Sequence, residues 1–306
     1  MQAQEIVAYQ KDMEWEEYLV PGSLDEALEM LDRYRGAARV IAGGTDIIPA
    51  TRKGGTGIKA LVDITRIPGL NMIRLDGETV KIGSLVTHTE VALSGLIRKR
   101  GMALAEGASR LGSPQIRNIA TVAGNILNAQ PGADTLIPLL ALDGSITVRS
   151  RQGERSILLA DLFTGVGRTT IDSTKEIVTE LSFPALGKGE ASAAMRLAKR
   201  KTLVLPILAV AVVIGTDPGR KTFTRVRIAA GPVATTPFRC KTAEEILLGS
   251  PIGEAVIRKA AEEAAKAANP RTSLIRGTSE YRKAMVAVLV ERGIATALKR
   301  LEESNG

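Results

Sequence analysis

The sequence predicts a protein of the α+β class with two domains. Short apolar strands alternate with amphipathic helices over the first 186 residues, a pattern that indicates packed layers of sheet and helix. Pro184, Gly187 and Gly189 then form a break, and such clusters mark loops between units. After it, three apolar strands precede two long helices. We therefore predict domains at 1–186 and 187–306, with subdomains of about 1–70 and 71–186 in the first.

Local signals place the elements of the first domain. A capping box at 23–26 begins a helix predicted at 27–34, and a second cap at 87–90 begins a helix that runs toward Arg100. A third helix is expected from Met102 to about Leu111. The strands of this domain are expected at 39–41, 60–64, 79–85, 146–149, 156–159 and 176–183.

The C-terminal domain is predicted to be a small sheet covered by helices. Its strands are expected at 193–198, 208–214 and 223–229, and the turn Asp217-Pro218-Gly219 separates the last two. An alanine-rich helix at 254–268 stops before Pro270. The segment 279–301 carries apolar residues at helical spacing, which predicts a second helix.

The composition excludes several classes of function. The chain has 306 residues, a formal charge of +8 and 3% aromatic residues. Few aromatics and no recognition-helix or RNA motif argue against a nucleic-acid partner. One cysteine, Cys240, and one histidine, His88, cannot supply the ligands of a zinc or iron–sulfur site. The basic charge favours an anionic cofactor or an acidic partner, or else forms a solvated surface.

Targeting signals are also absent from the sequence pattern. The chain begins without the basic and apolar regions of a signal peptide. The most apolar run, 203–215, is too short to span a bilayer and contains Pro206. We therefore expect a cytoplasmic protein with no membrane span.

Two glycine-bearing turns give the strongest functional signal. The first is Ala42-Gly43-Gly44-Thr45-Asp46, and the second is Thr121-Val122-Ala123-Gly124-Asn125. Such turns expose successive backbone N–H groups with little steric bulk. That geometry suits a pyrophosphate held from both sides. Either turn alone is equally compatible with an ordinary loop, because short glycine motifs are weak signals.

In combination, the motifs of this chain resemble the FAD-binding medium subunit of the molybdenum hydroxylases, the xanthine dehydrogenase and carbon monoxide dehydrogenase group. The matching motifs span nearly the whole chain in the family's order. They are Tyr18-x-x-Pro21-x-Ser23-Leu24-x-Glu26-Ala27, the first glycine turn, Ile82-Gly83-x-x-x-Thr87-His88, the stretch from Gln115 through the second turn to Leu142, Ala230-Gly231-Pro232-Val233 with Pro237-x-Arg239, and Ser279-x-Tyr281-Arg282.

The resemblance implies an architecture and a set of partners. The fold is expected to be a two-subdomain FAD-binding domain of the vanillyl-alcohol oxidase (PCMH) type. A C-terminal α+β domain of the CO dehydrogenase flavoprotein type follows, and FAD lies in a cleft between the pieces. The implied partners are a large subunit with the molybdenum cofactor and a small subunit with two [2Fe-2S] clusters, commonly assembled as a dimer of heterotrimers.

The resemblance also implies which residues bind the cofactor. The first loop and the residues leading into it are expected at the FAD diphosphate: Arg39, Val40, Ile41, Ala42, Gly43, Gly44, Thr45 and Asp46. The second loop adds Ala120, Thr121, Ala123, Gly124 and Asn125. Asp134 matches an acid that accepts hydrogen bonds from FAD hydroxyls. Leu111 and Val178 match apolar residues against the flavin or adenine, and Arg196 matches a basic residue near the flavin ring.

Each of these roles has a plainer alternative. Arg39 and Arg196 are also compatible with surface cations, and Leu111 and Val178 with core packing. Asp134 is also compatible with capping a helix that starts at Thr135. No catalytic side chain and no metal ligand is expected, because the flavin ring carries the redox chemistry. Arg168 and Thr169 match a family pair without an assignable contact.

The chain departs from the family pattern at several positions. Ala123 replaces the first glycine of a usual pair, and Ala120 also stands where glycine is common. A methyl at 123 requires a negative φ. Leu111 stands where relatives often have an aromatic residue. The segments 166–167 and 204–206 also differ, and these changes predict an altered flavin environment.

The leading functional prediction is an electron-transfer flavoprotein subunit. It takes electrons from [2Fe-2S] clusters on a partner and passes them to NAD, a quinone or another acceptor. One alternative is a scaffold or assembly subunit that has lost FAD, which the Ala123 and Leu111 departures motivate. Another is a stand-alone flavin oxidoreductase, although the sequence offers no acid–base pair for a substrate pocket.

Overall fold

The structure is a computed structural model that describes residues 13–200 and 204–303. Within these ranges the strands form three larger sheets and one two-stranded hairpin, with helices packed between and around them. The predicted α+β class is therefore confirmed. Two features of the sequence analysis lie outside the described residues. They are the N-terminal stretch examined for a signal peptide and residue 203, where the apolar run begins.

The N-terminal subdomain is a three-stranded parallel sheet with two helices. Strand β1 (Glu17–Leu19) and strand β2 (Ala38–Ile41) flank β3 (Ala60–Asp63). Helix α1 (Leu24–Arg33) connects β1 to β2, and α2 (Ile47–Lys53) connects β2 to β3. Because these strands are parallel, the first glycine turn follows β2 at the carboxyl edge of the sheet, where open α/β sheets bind ligands.

The first helix starts earlier than predicted. The Ser23 hydroxyl accepts a hydrogen bond from Glu26 N (3.2 Å), as expected of an N-cap, so the helix begins at Leu24 rather than at residue 27. The Glu26 carboxylate accepts a hydrogen bond from Gly22 N (2.7 Å) and not from the Ser23 backbone N–H, as a complete capping box would require. The buried face carries Ala27 with the leucines that follow, as predicted.

The second subdomain is built on a five-stranded antiparallel sheet. In spatial order its strands are β4 (Ile73–Asp76), β5 (Thr79–Gly83), β10 (Ile177–Pro184), β6 (Ser145–Ser150) and β7 (Gly153–Leu158). Its helices are α3 (His88–Leu93), α4 (Gly95–Arg100), α5 (Met102–Arg110), α6 (Pro114–Arg117), α7 (Val122–Leu127), α8 (Leu136–Ala141) and α9 (Leu159–Leu162). The hairpin of β8 (Phe163–Gly165) and β9 (Arg168–Thr169) completes it.

Two predicted bounds are wrong for local reasons. The helix predicted from 88 toward Arg100 is two helices, because Ser94 ends α3 and its side chain caps α4 through Ile97 N (3.3 Å). The strand predicted at 60–64 ends at Asp63, whose carboxylate accepts from Thr65 N (2.8 Å) and begins a 3-10 turn. The capping box of Thr87 and Glu90 is confirmed.

The C-terminal sheet is buried on both faces. Its strands, in order, are β11 (Glu190–Leu197), β12 (Leu208–Thr216), β13 (Phe223–Gly231) and β14 (Phe238–Arg239). On β12, Ala209, Ala211 and Val213 face the core of the second subdomain. The alternate residues face a second core under α10 (Lys241–Leu247), α11 (Glu254–Ala267) and α12 (Ser279–Glu303). The strand is therefore apolar throughout, as burial on two faces requires.

Close contacts join this sheet to the second subdomain. Glu106 on α5 forms an ion pair with Arg300 on α12 and accepts a hydrogen bond from Ala194 N (2.7 Å). A Cβ added to Gly231 would lie 2.5 Å from the carbonyl oxygen of Pro131, so only glycine allows this approach. The predicted boundary near residue 186 stays a prediction. No helix in ranges 13–200 and 204–303 is long and apolar enough to cross a bilayer.

Candidate cofactor-binding cleft

A large cleft lies where the three sheet units meet. Its volume is about 970 Å³, at the upper end of the range for small-molecule sites. The first subdomain contributes the segment from Arg39 to Ala50, and the second contributes residues of α7 and β10. Val204 and Leu205, which precede β12, also line it. The cleft therefore has room for an extended ligand that contacts all three units.

The first glycine segment has the geometry of a close-approach turn. Gly44 has a φ of +71°, a conformation that favours glycine. Its carbonyl accepts a hydrogen bond from Ile48 N (3.1 Å), which leads the chain into α2. A Cβ added to Gly43 would lie 2.3 Å from the carbonyl oxygen of Ile119. This loop therefore packs directly against the backbone that immediately precedes the second segment.

The second glycine segment is not a turn, and the sequence-based expectation is corrected here. Residues 122–127 form α7, and the Thr121 hydroxyl caps this helix by accepting from Gly124 N (3.1 Å). Asn125 N donates to Thr121 O within the helix. The segment thus offers fewer free N–H groups than an open turn. Ala123 lies in the helix, so its φ is negative and its methyl group is tolerated.

A side-chain hydrogen bond links the first segment to Asn128, the residue that follows α7. Asn128 Nδ2 donates to Asp46 Oδ1 over 2.9 Å. Burial raises the pKa of Asp46 above its ordinary value, and a hydrogen bond from Thr45 opposes that rise. Asn125 Oδ1 in turn accepts from the Thr135 hydroxyl (2.8 Å). The amides of this wall are therefore held in place before any ligand binds.

Asp134, in the wall of the cleft, forms a buried ion pair with Arg196. Arg196 Nε lies 2.8 Å from Asp134 Oδ1, and each side chain is less than a tenth exposed. Burial raises the pKa of Asp134, and Arg196 acts in the opposite direction. A second hydrogen bond from Arg196 goes to Val204 O. The N-cap of α8 is Thr135, and this helix has no side-chain capping hydrogen bond. Asp134 therefore does not cap α8, which was the alternative role predicted for it.

The cleft contains every predicted cofactor residue except Arg196, which does not line it. The residues that do are Arg39, Val40, Ile41, Ala42, Gly43, Gly44, Thr45, Asp46, Leu111, Ala120, Thr121, Ala123, Gly124, Asn125, Asp134 and Val178. Arg39 already donates from Nη1 to the carbonyl oxygens of Gly36 (2.6 Å) and Ala38 (2.7 Å). Nη1 of Arg39 therefore already has backbone acceptors near the start of β2.

Arg168 and Ser84 are among the polar residues of the cleft that lie outside the predicted cofactor set, although Arg168 was matched to a family pair without a contact. Arg168, on β9, lines the cleft mouth and has no ion-pair or hydrogen-bond partner among residues 13–200 and 204–303. Gly167 N donates to Ala129 O (3.0 Å) and anchors that hairpin to the wall. Ser84, just after β5, also lines the cleft. The residue types alone gave no signal for either role, because the fold decides which side chains reach the cleft.

Two protein families match this chain, one in each of its two parts. Residues 11–186 match the family described as the FAD binding domain in molybdopterin dehydrogenase. Residues 193–297 match the CO dehydrogenase flavoprotein C-terminal domain. The 6-hydroxypseudooxynicotine dehydrogenase complex subunit alpha of Paenarthrobacter nicotinovorans is 32% identical, over 93% of this chain and 95% of that protein.

Further relatives agree in sequence and in structure. The carbon monoxide dehydrogenase medium chain of Hydrogenophaga pseudoflava is 31% identical, over 93% of this chain and 97% of the relative. A solved structure of carbon monoxide dehydrogenase from that organism superposes with a TM-score of 0.88 at 30% identity, covering 94% of this chain and 99% of the other. The protein therefore carries an FAD-binding domain, and it belongs to the family of FAD-binding medium subunits of the molybdenum hydroxylases.

Proposed function

We propose that this chain is the electron-transfer subunit of a molybdenum hydroxylase complex, with FAD held in the cleft. It receives electrons from [2Fe-2S] clusters on a small partner subunit and passes them to NAD, a quinone or another acceptor. A large partner subunit carries the molybdenum cofactor. The observation that carries this proposal is the cleft between three units, lined by the two glycine segments. The matches at 11–186 and 193–297 also support the domain division at 1–186 and 187–306.

The residues of the cleft fit the chemistry of FAD. Gly43 and Gly44 line the cleft without side chains, so a diphosphate can approach their backbone N–H groups. Asp134 presents an acceptor suited to ribityl hydroxyl groups. Leu111 and Val178 supply apolar wall on which an aromatic ring packs. We propose that the cleft-lining set given above holds the cofactor.

The bound FAD supplies the redox chemistry, and the protein supplies binding and orientation. The Asp134–Arg196 pair keeps a fixed acceptor at the wall without leaving its carboxylate charge unpaired. The hydrogen bond between Asn128 and Asp46 ties the first segment to the residue that follows α7. Arg168 places a positive charge at the mouth, which favours an anionic ligand.

The rim of the cleft supports docking of a partner chain. Ile116, Val166 and Leu205 are exposed apolar residues, with exposed fractions of 38%, 58% and 58%. Ile116 and Leu205 line the cleft itself, and Val166 lies in the hairpin beside Gly167. Exposed apolar groups around a site are a feature of interaction surfaces. We propose that the small iron–sulfur subunit covers this rim, in a heterotrimer that forms a dimer.

Purification of the native complex tests the proposal. The co-purifying chains are identified by mass spectrometry, and flavin bleaching is followed after anaerobic addition of a reductant that reduces the iron–sulfur chain. We expect rapid bleaching in the complex and none when a Val166→Glu variant no longer retains the iron–sulfur chain. Leu248, 53% exposed and between α10 and α11, provides the matched control as Leu248→Glu. Equal flavin reduction in both variants and in the isolated chain would support a stand-alone oxidoreductase instead.

A further inference from the structure

Ser84 is a buried residue on the wall of the cleft. It follows β5, is 3% exposed, and its backbone N donates to Thr179 O over 3.0 Å. Its hydroxyl oxygen is fully buried and has no hydrogen-bond partner within residues 13–200 and 204–303. The same residue lines the cleft. The unsatisfied hydroxyl thus belongs to a residue of the cleft wall, and neighbouring atoms cover its oxygen in the FAD-free protein.

A buried hydroxyl without a partner is unfavourable. It loses its hydrogen bonds to water on folding and gains none in return. Native proteins leave few such groups, and each one calls for an explanation. Ser192 shows the usual arrangement, because its hydroxyl is also buried but accepts a hydrogen bond from Ala103 N (3.0 Å). The contrast indicates that the partner of Ser84 is absent from the chain itself.

The position of Ser84 distinguishes it from other unsatisfied groups. Trp15 and His88 also have buried side-chain nitrogen atoms without a partner, but neither lines the cleft. Ile64 and Val178 are apolar residues that also line the cleft. Small-molecule sites fix the orientation of a ligand with a few precisely placed polar groups in a largely apolar wall.

We propose that the Ser84 side chain rotates toward the cleft when FAD binds, and that its hydroxyl then forms a hydrogen bond with FAD and orients the cofactor. A hydroxyl group both donates and accepts hydrogen bonds, so it can pair with a donor or with an acceptor of FAD. This inference rests on the proposed position of FAD in the cleft. Ser84 therefore destabilises the FAD-free protein and stabilises the loaded one.

The test compares Ser84→Ala with Ser192→Ala in the full-length chain after FAD removal. Urea unfolding measures the stability of the FAD-free protein, and titration with FAD measures affinity. For Ser84→Ala we expect affinity to fall about 5- to 10-fold, as for the loss of one neutral hydrogen bond, with unfolding unchanged or at higher urea. For Ser192→Ala we expect unfolding at lower urea and unchanged FAD affinity.

Two outcomes would overturn the assignment. If Ser84→Ala binds FAD like the wild type, the hydroxyl does not contact the cofactor. If Ser84→Ala unfolds at lower urea or fails to fold, its hydroxyl has a partner in the FAD-free protein, such as a buried water molecule. Failure of the wild-type chain to bind FAD at all is a different result, which contradicts the proposed function rather than the role of Ser84.

Discussion

Gly43 lies so close to Ile119 that an added Cβ would be 2.3 Å from the Ile119 carbonyl oxygen. The same Cβ would lie 3.0 Å from the α-carbon of Ala120. Gly43 lies in the first glycine segment, and Ile119 directly precedes Ala120 on the opposite wall of the cleft, so the two walls touch through their backbones. The width of the cleft at this point therefore depends on the absence of one methyl group.

Gly43→Ala tests that contact. The backbone atoms of Ile119 cannot rotate away, so the two walls must separate and the donors for the diphosphate must move. We expect FAD affinity to fall at least about 10-fold, with a stability loss of roughly 1–3 kcal/mol typical of overpacking. Titration with FAD and urea unfolding measure the two effects. Gly95→Ala is the control, because nothing lies within 4 Å of its added Cβ; an equal loss of affinity there would contradict the explanation.

Arg196→Gln tests the role of the buried ion pair. Without Arg196, the Asp134 carboxylate is buried with no cation, and breaking such a pair costs about 3–5 kcal/mol. Burial already raises the pKa of Asp134, and the variant raises it further. The lost stability should therefore be partly recovered as pH falls through that raised pKa, because the carboxyl group becomes neutral.

The double variant Asp134→Asn, Arg196→Gln provides the comparison. It removes both charges, so urea unfolding should show a smaller loss than Arg196→Gln alone. FAD affinity should be reduced in the double variant, because an amide oxygen at residue 134 is a weaker acceptor than a carboxylate. Additive stability losses would show that the pair is not coupled.

The sequence predicted which segments meet at the cleft but not how each is built. The strand before Gly43 and the glycine itself follow from local pattern. Thr121 reads equally well as a turn residue or an N-cap, and only its hydrogen bond to Gly124 N decides for a helix. Arg196 was expected to face the flavin, yet it turns to Asp134, 62 positions earlier in the chain. Ser84 gave no signal, because an unsatisfied hydroxyl is a property of the tertiary fold.

His88 should make stability depend on pH. The pKa of His88 is lowered from 6.5 to about 4, mainly by burial, and the positive charge of Arg117 acts in the same direction. Below pH 6.5 the unfolded chain takes up a proton that the folded chain does not. The free energy of unfolding should therefore fall by about 3 kcal/mol as pH drops from 6.5 to 4.

The single histidine makes this measurement direct. His88 is the only imidazole in the chain, so NMR of histidine-labelled protein follows one ring. We expect no change of its resonance above pH 5. Titration near pH 6.5 in the folded protein would contradict the assigned burial. The pH dependence of unfolding should also be weaker in His88→Asn, which carries no titratable group at that position.

Arg168→Gln tests the positive charge at the mouth of the cleft. Since Arg168 is exposed and lines the cleft, its attraction for an anionic cofactor should be moderate and screened by salt. We expect FAD affinity to fall about 3- to 5-fold at low salt, and its salt dependence to weaken. Arg258→Gln, an exposed change on α11, should leave both unchanged. If FAD binding has the same salt dependence in Arg168→Gln and in the wild type, Arg168 does not contribute to cofactor binding.

The most direct measurement is the cofactor content of the gently purified native chain. Its absorption spectrum and mass spectrometry of the released cofactor give the identity and amount of bound flavin. The account predicts FAD in about one-to-one ratio with the chain, and loss of that FAD in Gly43→Ala but not in Gly95→Ala. A colourless chain that also fails to take up added FAD would contradict it and would favour a scaffold subunit without flavin.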